Sequence, residues 1–552
     1  MNRSVRSWLL CLAVVTAGCG GRAPFWSEFV QTGPLTFNLV TTLAIVDAPA
    51  NRVALLTPGS GQTLTTTFVP VGTGVLNAAT SADGKTLFVA SAGHRARLGD
   101  ARPTEVPSIT VVSADGSAQR YDLMNLTDPL GGMAVDPGGH WLVLYPSTET
   151  SQPAVQNPNE LLVIDLTQPS GPVMAAPHTL MSFGGHPQRF TFTAPLHLPA
   201  SVGDQSLLIV ESDQGLSLLQ LRVDMTLPEI TVPLTSGSTT QLLSPAGIAV
   251  SAGDSTHGAC LGVRLANDHD VVTLQFVPNV DAHGAPVGNG FLPTVNLNDV
   301  GGVASDIAFV NTDSGLRLAA LVPSLKKATL IDPTTSLRTD VALPAPYQNL
   351  SVVTNALGTA GSCDNATAAP TVVSDVALLW NGSSIQGQEG VAFWELGQTG
   401  CQSYRSIDTV GVTDVVAAVL NVPTPNDRLK VLQTRNATTF YILNLANRTA
   451  APLQTSTSDV SLSISPLGDQ VWSYVAYGET VSATDLGHQL LPRSLLIERP
   501  VSGVYEVARA ADNPAVVILH DQGGIGATVY DAKTLDDTTR RLYGGLLLGG
   551  SP

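Results

Sequence analysis

Acidic and imidazole side chains gather in three short turns of this 552-residue chain. "ESDQG" carries Glu211 and Asp213, "NDHD" carries Asp268, His269 and Asp270, and "HDQGG" carries His520 and Asp521. Brought to one mouth, such groups could hold a divalent cation or divide the acid and base roles of a reaction. The competing account is structural, because Asp, Asn and Gly make good hairpin turns unaided. "NDHD" is too short for a calcium loop and lacks its Gly and distal Glu. The chain has no G-x-S-x-G elbow, no H-E-x-x-H, no Walker loop and no Gly-rich dinucleotide turn. No catalytic or metal-ligating residue is therefore assigned and no cofactor is expected, a divalent cation at the mouth being the one possibility left open. Two longer polar stretches, "AGHRARLGDARPTEVP" from Ala92 and "PSTETSQPAVQNPNE" from Pro146, join the seven residues as candidate ligand-face loops.

Whether these turns meet depends on the elements that carry them. "VLNAATSADGKTLFVAS" from Val75 is an alternating strand, a polar turn and a more continuously apolar strand, which is hairpin grammar. Looser copies start at Gly131, Ala246, Ala304, Asp459 and Gly503. A third strand follows and ends on a short acid or amide, as in "LLVIDL" with Asp165, "ATLIDPTT" with Asp332, "FYILNLAN" with Asn444 and "ATVYDAKT" with Asp531. A fourth, more polar strand usually comes next. The turn markers Asp83, Pro137, Asp254, Asp313, Asp427, Asp469 and Asp512 recur at 42 to 59 residues, with two gaps about twice as long. "RFTFTAPLHLP…SLLIVESDQGLSLLQL" fills the first long gap and "LSVVTNALG…VALLWNGSS…VAFWEL" the second, so the count reaches about ten units.

Four short antiparallel strands at this period predict an all-β chain, a β-propeller of four-stranded blades. A sandwich array would repeat near 100 residues and a β-helix at far shorter intervals. Ten units allow one large ring, two smaller rings, or an eight-bladed ring with two units merged. In "GVAFW", Phe393 and Trp394 are expected to pack between blades. "SADGKTLFVAS" followed by "SITVVSADG" resembles the YVTN-type, lactonase-like propeller repeat. That resemblance implies the fold and, because the repeat serves many roles, no particular activity.

The start of the chain carries an address. Arg3 and Arg6 precede the apolar stretch Trp8 to Val15, which ends in "TAGCGG". This resembles a bacterial lipobox and implies a signal peptide over residues 1–18, lipidation of Cys19 and a flexible tether to about residue 40. The repeat region would then run from 41 to 552. Gly20 is not Asp, so the enterobacterial sorting rule points to the outer membrane, placing a lipid-anchored protein in the cell envelope. The formal net charge of −17 repels nucleic acid and anionic headgroups. Of five cysteines, Cys260, Cys363 and Cys401 stay in the exported chain. Cys363 and Cys401 fall in connections on the same side of one unit, so a Cys363–Cys401 disulfide is expected, with Cys260 a buried free thiol. The functional expectation is a binding or scaffolding module for a protein or glycan partner, held to the membrane by its N-terminal lipid. The alternative is a lactonase-like or sugar-acting hydrolase with carboxylates at the central mouth.

Overall fold

The computed structural model describes residues 34–548 except 95–103, 125, 127–129, 147–156, 168–171, 175, 182–185, 201, 223–225, 227, 236–241, 255–257, 313, 354–375, 383–389, 397–406, 456, 459, 488–489, 491, 510–512 and 522–524. Cys19, Cys363 and Cys401 lie outside the described residues, and with them the lipidation and the disulfide. Among the described residues no helix is long and apolar enough to cross a membrane.

The strands form ten antiparallel sheets, each from one continuous stretch of chain in the order first to fourth. They span residues 36–70, 75–122, 132–179, 187–233, 245–299, 306–342, 349–409, 416–454, 460–496 and 503–543. We call them blades 1 to 10. Blade 3 has its fourth strand in two pieces, Val173–Met174 and His178–Thr179, both paired with Glu160–Asp165. The units expected in the two long gaps are blades 4 and 7. The first blade begins earlier than residue 41, because its short inner strand Thr36–Asn38 pairs with Leu43–Asp47.

Side chains alternate across each strand, so every blade has two apolar faces. In blade 1, Leu43 and Ile45 pack with Val517 and Leu519 of blade 10, whereas Ala44 and Val46 pack with Leu87 and Val89 of blade 2. Among the described residues the buried apolar side chains form ten clusters, and each spans one pair of neighbouring blades. Ten blades with ten interfaces make one closed ring, a ten-bladed β-propeller. Phe393 faces blade 8 and Trp394 blade 6, both fully buried. The first strands of blades 3 and 9 are largely half-buried, as suits the strands nearest the axis of a propeller.

Among the described residues no strand is exchanged between blades 1 and 10; polar contacts across this seam add to its apolar packing. Asn38 Nδ2 donates to Glu506 O at 2.6 Å, Ala508 N to Val40 O at 2.7 Å and Arg52 Nη2 to Leu547 O at 2.6 Å. Tyr543 Oη accepts from Leu64 N and donates to Gln62 O, both at 3.0 Å. Similar stitches from side chain to neighbouring backbone include Asn77 to Gly131, Gln220 to Asn289, Gln275 to Pro333 and Gln433 to Val460.

The repeated acids are explained by these turns. Asp83 Oδ1 accepts from Lys85 N at 3.1 Å and from Ser81 Oγ at 2.7 Å, while Gly84 takes φ +66°, where a side chain is strained. At the ends of third strands, Asp165 accepts from Thr167 N, Asp332 from Thr334 N and Asp531 from Lys533 N. These carboxylates cap hairpins.

Since stability resides in the inter-blade layers, Trp394→Ala should cost about 3–5 kcal/mol, the usual loss for a buried aromatic. Leu337→Ala, at a site 70% exposed, should stay within about 0.5 kcal/mol. Urea melts followed by circular dichroism would check the pair.

Candidate functional site

Antiparallel strands sort the connections onto two faces. Turns between second and third strands share one face with the inter-blade connections, and the other two kinds of turn share the opposite face. All seven candidate residues lie at or beside second-to-third turns, so all belong to the first face. Their blades differ. Glu211 and Asp213 are on blade 4 and Asp268, His269 and Asp270 on blade 5, which are neighbours, whereas His520 and Asp521 are on blade 10. In a ring of ten, blade 10 lies across the axis from blades 4 and 5, so the candidates form no single cluster.

Blade 10 supplies a structural histidine. His520 is 1% exposed, its Nε2 2.7 Å from Thr528 Oγ1 and its Nδ1 3.2 Å from Pro500 O. Burial lowers its pKa. Asp521 beside it is half-buried.

Two cavities of this face lie between blades 4 and 7. One cavity of about 490 Å³ lies between blades 4 and 5, lined by Asp213, Gln214, Ser244 and Asn267. A second, of about 570 Å³, runs from blade 5 to blade 7 and is lined by His269, Gly301, Gly302, Ser305, Gln348 and Asn349. Asp213 is held by the backbone N of His186 at 2.7 Å, with the His186 ring 3.6 Å away, and Ser244 Oγ donates to Asp213 O at 2.6 Å. Asp268 accepts from Asp270 N at 2.9 Å, which fixes the turn that presents the exposed His269. Asp270 opens the third strand and is half-buried.

Glu211 differs from its neighbours. It is 3% exposed in the second strand of blade 4, with Arg189 Nη1 3.5 Å from its Oε1. Burial raises its pKa, while Arg189 and Arg264 oppose that rise. Arg264 donates to Ala246 O at 2.6 Å and to Ala304 O of blade 6 at 3.2 Å. Asp306 follows, accepting from Ile307 N at 2.9 Å and from Leu350 N of blade 7 at 2.8 Å, its pKa also raised by burial. Arg189, Glu211, Arg264 and Asp306 thus alternate in sign from blade 4 to blade 6. Sequence reading named Glu211, which adjoins a polar turn, and passed over the other three. The available signal was one charge in an apolar run, as in "CLGVRL".

A further buried acid was also missed. Glu506, in the first strand of blade 10, is 4% exposed and its Oε2 has no hydrogen-bond partner. Burial pushes its carboxyl up to about 7; Asp469 adds to this, while Ser465 and Trp472 act against it. Among the described residues no group of three His, Cys, Asp or Glu is placed to hold a metal ion. Cys260 is a buried free thiol whose pKa burial raises to about 11.

No protein-family model matches the chain, and no curated protein does. Solved structures similar to it include dihydro-heme d1 dehydrogenase NirN in complex with DHE, at 11% identity and TM-score 0.36, covering 95% of this chain and 77% of that one. Virginiamycin B lyase from Staphylococcus aureus is 12% identical with TM-score 0.28, covering 73% and 92%. A eukaryotic initiation factor is 10% identical with TM-score 0.38, covering 91% and 94%. Three such different proteins leave function to be read from this chain's own residues.

Two outcomes follow. The unfolded chain releases the Glu506 proton near 4.5 and the folded chain near 7, so the folded state binds it more tightly in between. Stability should be fully present below about 4.5, fall as pH rises through 7 and then level off. Glu506→Gln should remove most of that fall, gaining on the order of 2–3 kcal/mol over wild type at pH 8 and almost nothing at pH 4 in thermal melts. Cys260 should resist iodoacetamide in native protein at pH 8 and react once urea unfolds the ring, as read by peptide mapping.

Proposed function

We propose that this chain is a cell-envelope lipoprotein, anchored through lipid on Cys19, whose ring presents the face between blades 4 and 7 to a protein or glycan partner. The observation that carries the reading is the pair of adjacent open cavities on one face, where the amides of Gln214, Asn267, Gln348 and Asn349 and the hydroxyls of Ser244, Ser305 and Ser324 stand beside apolar Leu242, Leu243, Val303 and Pro323. Such a lining suits a ligand rich in hydroxyl and amide groups, an extended glycan or a polar peptide segment. Donors and acceptors already fixed by the ring lose little entropy on binding, which favours recognition. The sequence reading of the N-terminus supports the anchor, with the outer membrane as its proposed site. We assign the chain no nucleic-acid role, given its acidic charge.

One observation favours the hydrolase alternative. The buried Glu211, beside Arg189 and under the field of Arg264, has the raised pKa of a group suited to giving up a proton in a reaction.

Glycan and peptide arrays probed with the purified chain test the first reading. Asn349→Ala together with Ser305→Ala should weaken binding at least tenfold and leave the melting temperature within 2–3 °C. Binding unchanged by the pair would refute the face. Glu211→Gln separates the alternative: a hydrolytic activity on lactone or glycoside substrates that drops at least a hundredfold would replace binding with catalysis. Cys19→Ala should move the protein from the membrane fraction to the soluble fraction and abolish labelling by a palmitate analogue.

A further inference from the structure

The cavity that runs from blade 5 to blade 7 has two unlike parts to its lining. Blade 7 supplies one, through the amides of Gln348 and Asn349. Their backbone is clamped on three sides. Gln348 N donates to Trp380 O at 3.1 Å, Ser305 Oγ donates to Gln348 O at 2.7 Å, and Leu350 N donates to Asp306 Oδ2 at 2.8 Å. Groups held in this way lose little freedom when a ligand arrives.

The two amides share a neighbour that lacks a side chain. A Cβ on Gly382 would stand 3.3 Å from Gln348 Oε1 and 3.4 Å from Asn349 Nδ2, with no other described atom within 4 Å beyond its chain neighbours. The φ of Gly382 is not positive, so its backbone does not demand glycine. What the missing side chain leaves is a small space on which an acceptor and a donor converge. Asn381, next to it, is 3% exposed, and its Oδ1 accepts no hydrogen bond among the described residues.

The connection into blade 6 and the second-to-third turn of that blade supply the other part. Val303 and Pro323 line the cavity, with Val303 40% exposed. Leu325, 51% exposed, lies against the adjoining glycine, its Cδ1 3.6 Å from where a Cβ on Gly302 would be. Among the described residues the lining holds no Asp, Glu, Lys or Arg, and His269 is its one ionisable side chain.

These features select a neutral group with a donor, an acceptor and a small apolar end. A carboxylate would find no cation in the lining, and an ammonium group no carboxylate. A secondary amide carries N–H and C=O side by side, complementary to Asn and Gln side chains. An acetamido group adds a methyl for Val303 and Leu325, which a bare sugar hydroxyl would leave unused. An extended peptide pairs through open backbone donors, and those of Gln348 and Leu350 are already taken by Trp380 and Asp306.

We propose that this cavity recognises the acetamido group of an N-acetylated sugar, an assignment that rests on the reading of this face as a ligand-binding surface and narrows it.

Titration calorimetry of the full chain in a non-ionic detergent tests this with the trimers of N-acetylglucosamine, glucosamine and glucose, which carry acetamido, ammonium or hydroxyl at C2. The dissociation constant for the acetylated trimer should be at least tenfold lower than for the other two, although a chain of net charge −17 attracts the cationic one. Gly382→Ala, which fills the space between the amides, and Val303→Ser, which removes the apolar contact, should each abolish that preference. Melting temperatures within about 2–3 °C of wild type show that the variants fold. Leu337→Ala, on the opposite face, should keep the preference. Equal affinity for the three trimers, or a preference indifferent to both substitutions, would overturn the proposal. If ligands found on the arrays still depend on Ser305 and Asn349 in that case, the broader reading of the face survives while the acetamido assignment falls. Binding of peptides and of no sugar would likewise end it and give the face to a protein partner.

Discussion

A four-stranded blade has two apolar faces, and alone it can cover neither. Among the described residues every cluster of buried apolar side chains lies between two blades, so the stabilising layer of each blade belongs equally to its neighbour. The hydrophobic effect therefore drives the array to close, because an open array would leave one face wet at each end. Closure is achieved when blade 10 meets blade 1, with Leu43, Ile45 and Leu56 packed against Val507, Val517 and Leu519. Rings often lock this seam by exchanging a strand. Here Asn38, Arg52 and Tyr543 cross it with hydrogen bonds to backbone.

The same constraint sets what can be functional. Turn acids such as Asp83, Asp332 and Asp531 spend their oxygens on backbone N–H groups of their own hairpins. His520 spends both ring nitrogens inside blade 10. What remains for a ligand is the ground between blades, where loops do not close over the interface. From blade 4 to blade 7 those gaps open into two adjoining cavities, and beside them runs a row of alternating charge that ends on the backbone of blade 7.

Large rings also change the geometry of convergence. With few blades, loops from opposite sides reach one another over a narrow axis. Ten blades set opposite loops apart, so residues act together only with those one or two blades away. Asp213 and Asn267 line one cavity, and His269 shares the next with Ser305 and Asn349. The acid and histidine of blade 10 belong to a different part of the rim.

The amino-acid pattern alone determined the local grammar: alternating strands, turns marked by Asp and Gly, the interval of the repeat and about ten units, including the two hidden in double-length gaps. It did so because strand periodicity and turn chemistry depend on residues a few positions apart. It also supplied His269 and Asp213 as residues of the exposed face. The tertiary structure alone decided between one ring and two, since closure depends on blade 10 meeting blade 1 some 450 residues away in the chain. It likewise decided which acids are turn caps and which are buried charges. Glu211, Arg264, Asp306 and Glu506 look like ordinary strand residues until neighbouring blades take the water from them. Burial is a property of the neighbour, and the neighbour is chosen by the fold.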